Sequence, residues 1–118
     1  MAKFVAVDFG ERWCGLAVSQ GDIAEPWGAV EKKMLADEVK RLEPEVLIFG
    51  ISEGRMAEKT RQFANHLAGM LRLEVEFSDE TLSSREVEAL GKKDKKKQHA
   101  MAAAVILERY LEQIANRS

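Results

Sequence analysis

Cysteine is almost absent from the 118-residue sequence, where Cys14 stands alone. A lone thiol excludes an internal disulfide and a multi-cysteine metal cage, and it points to a reducing, cytoplasmic compartment. There is little excess charge of either sign: 18 Lys and Arg face 20 Asp and Glu, for a formal net charge of −2. No global positive field therefore draws the chain to nucleic acid or to an anionic membrane, and any polyanion site has to be local. No apolar run approaches the roughly 18 to 20 residues of a membrane span, and the stretch before Asp8 is too short for a secretory signal. The protein is expected to be neither exported nor inserted in a membrane. Prolines number two, Pro26 and Pro44, and histidines two, His66 and His99, so each is informative by its position. No internal repeat and no low-complexity linker interrupts the chain.

What is present suffices for one domain over residues 1–118. Apolar residues at 46% and charged residues at 32% exclude the composition of a disordered chain. Lys3 to Asp8 reads as a short apolar strand and Cys14 to Ser19 as a second, joined in a hairpin by a turn around Gly10. Ile23 to Val30 is a weaker extended piece, and Pro26 marks it as an edge strand because proline cannot donate to a ladder. From Met34 onward Leu35, Val39 and Leu42 fall at helical intervals until Pro44 stops the helix.

Val46 to Ile51 is an uninterrupted apolar run, the mark of a mid-sheet strand covered on both faces. Phe63, Leu67, Met70 and Leu71 give an amphipathic helix from about Met56 to Leu71, and Leu73 to Phe77 alternates as a last strand. The capping-box pattern Ser83-x-x-Glu86 opens a short helix that Gly91 can end. A lysine-rich stretch, 92–97, then links to a final helix from Gln98 to Ala115. That helix is apolar on nearly every side from Ala100 to Leu107, so its first half is expected to lie buried against a sheet. Three meandering strands followed by alternating helix and strand predict an α/β fold, a mixed sheet flanked by helices.

Three positions could carry chemistry. Asp8 ends the first strand, where open α/β sheets place their ligands, although an Asx-turn for the hairpin is the plainer use of the same residue. Asp79 and Glu80 come at the equivalent end of the last strand. Successive strand residues point to opposite faces, so only one of the two can face Asp8; turn capping and solvation are the alternatives. His99 stands just before the buried run of the final helix, where it can ligate a metal, move a proton or simply start the helix. His66 sits mid-helix on a polar face and is expected to be exposed.

The positions gain force as a set. Two carboxylates within about 4 Å repel by roughly 4 kcal/mol at an effective dielectric near 20, so a folded domain seldom holds such a cluster without a cation. Mg²⁺ and Mn²⁺ prefer oxygen ligands, and a pair of them can clamp the oxygens of a phosphodiester under hydrolysis. Lys92, Lys93, Lys95, Lys96 and Lys97 put five positive charges just before His99. A lysine run is usually a solvated loop, but beside such a site it favours salt-dependent phosphate contact. Trp13 and Trp27 can stack on bases, and packing within the sheet or its edge is the more ordinary expectation.

The chain resembles the YqgF/RuvX family of ribonuclease H-like proteins, over essentially its whole length. The resemblance rests on Val7-Asp8-Phe9-Gly10 with Gly15-Leu16-Ala17-Val18-Ser19, on Ile48-Phe49-Gly50 followed by Ala57-Glu58-Lys59-Thr60, on Asp79-Glu80-Thr81-Leu82-Ser83-Ser84, and on the lysine tract leading into Ala102-Ala103-Ala104-Val105-Ile106-Leu107. It implies a five-stranded mixed sheet with Asp8 on the central strand and an acidic site dependent on Mg²⁺ or Mn²⁺. It also implies nuclease chemistry on structured nucleic acid: precursor 16S ribosomal RNA, or branched DNA as a Holliday junction resolvase would take. By position, Asp8 would be a metal ligand, Asp79 and Glu80 would supply a second carboxylate, and His99 would occupy the place of the last acid.

Four departures mark a divergent member. Trp13 stands where a basic residue is usual, with Arg12 adjacent as the substitute nucleic-acid contact. Thr81 replaces an arginine. The loop after Gly50 is short and makes Glu53 a rival carboxylate, and His99 replaces an aspartate, which suits Mn²⁺ better than Mg²⁺. The first expectation is thus a metal-dependent nuclease with Asp8, Glu80 and His99 as its catalytic set and Asp79 or Glu53 contributing. A non-catalytic RNA-binding or ribosome assembly factor is the second. A phosphotransferase of the actin and sugar-kinase kind would need two such domains, and the chain has length for one.

Overall fold

The computed structural model describes residues 3–51, 55–79 and 95–116. Five strands form one sheet: β1 (Phe4–Asp8), β2 (Trp13–Gln20), β3 (Ile23–Glu31), β4 (Val46–Ile51) and β5 (Glu74–Asp79). Their order is β3-β2-β1-β4-β5. The first three form an antiparallel meander, whereas β4 runs parallel to β1 and β5 parallel to β4. The sheet is therefore mixed, with β1 at its centre, as the resemblance implies.

Helices α1 (Leu35–Leu42) and α2 (Arg55–Leu71) make the crossovers to β4 and β5, and with α3 (Lys95–Asn116) they form the outer layers. A short 3-10 turn, Lys32–Met34, precedes α1. The helix therefore starts one residue after Met34, and Glu43 closes it in the left-handed region at φ 50°. Pro44 follows directly, so the predicted stop is made by two residues acting in succession.

Strand alternation divides the core into two layers. Val5, Val7, Leu16, Leu47 and Phe49 pack beneath α1 and α2 with Leu35, Val39 and Leu67. Ala6, Ala17 and Ile48 face the other way, against Ala103, Ile106, Leu107 and Tyr110 of α3. Both β1 and β4 are covered on two faces, which explains their unbroken apolar runs. The Tyr110 hydroxyl hydrogen-bonds Glu76, so β5 is tied to α3 by a polar contact as well.

Several boundaries move outward from those expected. Trp13 and Gln20 extend β2, β3 reaches Glu31, and β5 spans Glu74–Asp79 rather than ending at Phe77. Helix α2 begins at Arg55, and α3 begins at Lys95. The last point corrects a prediction: Lys95, Lys96 and Lys97 belong to the helix and not to a linker, because the buried face beginning at Ala100 stabilises the preceding turn. Pro26 does lie on an edge strand, and the β2–β3 register skips Trp27 between the pairs Leu16 with Gly28 and Ala17 with Pro26, forming a bulge. The capping box at Ser83 and the proposed C-cap at Gly91 lie outside the described residues.

Ile106 is 1% exposed in the layer between α3 and the sheet. Ile106→Ala is expected to cost about 2–5 kcal/mol in urea unfolding, the range for truncating a buried aliphatic side chain. A loss below about 1 kcal/mol would contradict this packing.

Candidate functional site

Alternation along β1 sends Phe4, Ala6 and Asp8 to the face that α3 covers. On α3, Tyr110, Ala103 and His99 recur at helical spacing along one stripe. Phe4 meets Tyr110 edge-on with ring centroids 5.5 Å apart, and at the other end of the strand Asp8 meets His99. The His99 Nδ1 and Asp8 Oδ2 atoms lie 2.8 Å apart. A carboxylate only accepts, so Nδ1 donates, which fixes the ring orientation. The two side chains are 13% and 31% exposed for Asp8 and His99 respectively, so the pair is sheltered but reachable from solvent. Asp8 spends its carboxylate on His99, an arrangement different from an Asx-turn.

Glycine makes this meeting possible. Gly15 is the register partner of Asp8 on β2. A Cβ there would lie 1.9 Å from the His99 carbonyl oxygen and 2.7 Å from the Ala100 nitrogen. The first residues of α3 thus rest backbone to backbone on the strand, and no side chain fits between them. Gly10 clears a second wall: its Cβ would lie 2.3 Å from the Trp13 carbonyl oxygen and 3.4 Å from His99 Cε1. The role of Gly15 is not among the sequence expectations, and its signal there is a glycine inside an otherwise apolar strand.

Asp79 ends β5 in register with Ile51, while Glu53 and Glu80 lie outside the described residues. Among the described residues, no group of three or more His, Cys, Asp or Glu side chains comes together. Lys92 and Lys93 also lie outside them. Lys95, Lys96 and Lys97 form the first turn of α3, and Lys96 Nζ sits 4.2 Å from the centroid of the half-buried Trp13 ring. Arg12 is exposed in the turn before β2.

Trp27 corrects the expectation of packing: it is 51% exposed, and its Nε1 donates to Glu38 Oε1 at 3.2 Å. The bulge turns it out of the strand's alternation. His66 is exposed, as predicted. Cys14 is fully buried, its thiol pushed up by desolvation, so it serves as core.

Atoms of the Asp8–His99 pair other than the hydrogen-bonded Nδ1 are of the types that a divalent cation takes. Oδ1 of Asp8 is a hard oxygen not engaged by the imidazole, and an imidazole beside a carboxylate suits Mn²⁺. Lys96 and Lys97 are exposed residues of the first turn of α3, just ahead of His99.

Comparison with known proteins gives a consistent picture. The family model described as "RuvX: Holliday junction resolvase" matches residues 2–113. A Lactococcus lactis protein named a pre-16S rRNA nuclease is 29% identical over 135 aligned positions, covering 94% of each chain. A Thermotoga maritima protein of the same name is 27% identical over 108 positions, covering 92% of this chain and 49% of that protein, so the chain spans about half of its length. Among solved structures, Thermus thermophilus RuvC in complex with a Holliday junction substrate superposes with a TM-score of 0.64 at 15% identity, over 98% of this chain and 97% of that one. This likeness shows the ribonuclease H-like fold.

Gly15→Ala tests the seat of α3. The added methyl is expected to destabilise the protein by at least about 1–3 kcal/mol, as overpacking does, and to break the His99 to Asp8 hydrogen bond. Thermal unfolding and the imidazole resonances of His99 read the two effects; an unchanged ring environment would refute the arrangement.

Proposed function

From the premise that the chain belongs to the RuvX family, we propose that it is a metal-dependent nuclease acting on structured nucleic acid, with precursor 16S ribosomal RNA as its substrate. Residues 1–118 act as one ribonuclease H-like domain, and the setting is the cytoplasm. The observation that carries the reading is the Asp8–His99 pair at the carboxyl end of the central strand, where α/β sheets place their ligands. The names of the relatives support ribosomal RNA over branched DNA, which the RuvC likeness keeps as the alternative substrate.

Asp8 and His99 would hold the cation, with Glu80 completing the set and Asp79 or Glu53 contributing. A bound Mn²⁺ or Mg²⁺ supplies water activation and neutralises charge on the phosphodiester. The chain's own residues do the rest. His99 fixes the carboxylate of Asp8 by engaging one oxygen, which leaves the other directed by the strand. Arg12 and the tract of Lys92, Lys93, Lys95, Lys96 and Lys97 draw the phosphate backbone to the sheet edge and orient it there.

The lysines of α3 add an independent argument. A helix N-terminus carries partial positive charge and favours acidic residues, yet the first turn of α3 has none and holds Lys95, Lys96 and Lys97. A docked anion suits such a turn.

Asp8→Asn is expected to lower cleavage of end-labelled precursor RNA by more than the roughly 10–100-fold that loss of an outer partner of a metal ligand costs, with the fold retained. Wild type should cut with Mn²⁺ or Mg²⁺ and stop with chelator; full activity of a folded Asp8→Asn variant would sink the proposal. If neither protein cuts while both bind RNA equally, the chain is a binding factor. Lys97→Glu should weaken nucleic-acid binding. The slope of log affinity against log salt should become shallower by about one for each phosphate that is no longer neutralised. Unchanged affinity would remove this lysine from the interface.

A further inference from the structure

The residue after Asp8 opens onto the opposite face of the sheet. Phe9 turns toward α2, stacking against Phe63 with ring centroids 4.8 Å apart, and it packs on the core beneath α1 and α2. Two adjoining depressions lie there, with volumes of about 490 and 540 Å³, and they share Glu11, Lys32, Phe63 and His66. Each is within the roughly 300–1,000 Å³ of small-ligand sites. The first has an apolar wall of Ala36, Leu67 and Met70, and Met70 is 54% exposed although it is a large apolar side chain.

The rim is cationic once its ion pairs are counted. Glu11 is paired with Lys59 at 3.1 Å and Glu31 with Lys33 at 3.3 Å. Arg12 and Lys32 then remain without a carboxylate partner among the described residues. Lys32 Nζ is held 5.3 Å from the Phe9 centroid and 5.7 Å from the Phe63 centroid, a position that anchors the ammonium group without neutralising it. The groove thus offers an aromatic and thioether surface on one side and two uncompensated cations on the other. That combination complements a planar base with its phosphate attached.

We infer that this groove receives one unpaired nucleotide of the nucleic-acid substrate, its base against Phe63 and Met70 and its phosphate at Lys32 and Arg12. The inference rests on the nuclease reading for the identity of the strand that supplies the nucleotide. Consecutive residues of one strand end, Asp8 and Phe9, serve the two faces. A chain crossing the sheet edge past Arg12 can therefore occupy the cleavage site and the groove together. The groove requires an unpaired nucleotide because a base stacked within a duplex presents no free face to an aromatic side chain.

Titration of labelled protein with single-stranded tri-uridylate, followed by NMR, tests the assignment. The methyl signals of Ala36, Leu67 and Met70 should move, and the affinity read from them should fall at least about fivefold in Lys32→Glu and Met70→Glu, the low end of what base stacking supplies. Both side chains are exposed, so these variants should fold. Phe63→Leu, which keeps the apolar bulk and removes the ring, should give a similar loss. A blunt RNA duplex and inorganic phosphate should each move these signals at least about fivefold more weakly at equal concentration. Still signals, unchanged affinity in both charge variants, or an equal response to duplex or phosphate would overturn the inference.

Asp8→Asn separates this inference from the nuclease reading. Groove binding retained by that variant, with cleavage lost, supports both. Cleavage by wild type without groove signals defeats the inference alone, and groove binding without cleavage by wild type defeats the nuclease reading alone.

Discussion

The contact between the start of α3 and the backbone of Gly15 couples the fold to its chemistry. A helix ordinarily rides on a sheet through interdigitating side chains, at a separation that would keep a residue such as His99 away from the strand. Here a strand position without a side chain lets the carbonyl of His99 descend into space that a Cβ would occupy. Because Gly15 is the register partner of Asp8, the descent happens beside the carboxylate. The small residues that follow on the helix, Ala102, Ala103 and Ala104, keep the approach close over the next turn. Packing of the apolar half of α3 thus fixes a hydrogen-bonded carboxylate and imidazole at its polar end.

Much of this was legible in the sequence, for identifiable reasons. The unbroken apolar runs of β1 and β4 announce burial on two faces, and the structure has both strands mid-sheet. Asp8 and His99 could be singled out because each is a chemistry-bearing residue at the end of an apolar element, and their pairing follows once both elements lie in one layer. The role of Gly15 was hidden, since it depends on a helix more than eighty residues away. The helical state of Lys95, Lys96 and Lys97 was also hidden, because a run of lysines reads as solvated loop when the burial that stabilises the next turn is not yet placed. The same holds for Trp27, whose exposure comes from a bulge that only the pairing of β2 with β3 defines.

The electrostatics of the chain are arranged by region. The whole carries a formal charge of −2, yet near the carboxyl end of β1 cations stand on both faces of the sheet, Arg12 and Lys32 on the side of α2 and the first turn of α3 on the side of Asp8 and His99. With no net positive charge on the whole, attraction to a polyanion has to come from local groups of this kind.

The bulge at Trp27 and the neighbouring Pro26 also bear on how copies of this chain behave in a crowded solution. β3 is an outer strand of the sheet, and an outer strand with a regular row of unpaired amide and carbonyl groups invites a further strand from another molecule. Pro26 removes one donor from that row, and the extra residue at Trp27 throws the remainder out of step. This border of the sheet is a poor template for intermolecular β-pairing, which protects the protein from strand-by-strand aggregation on that side.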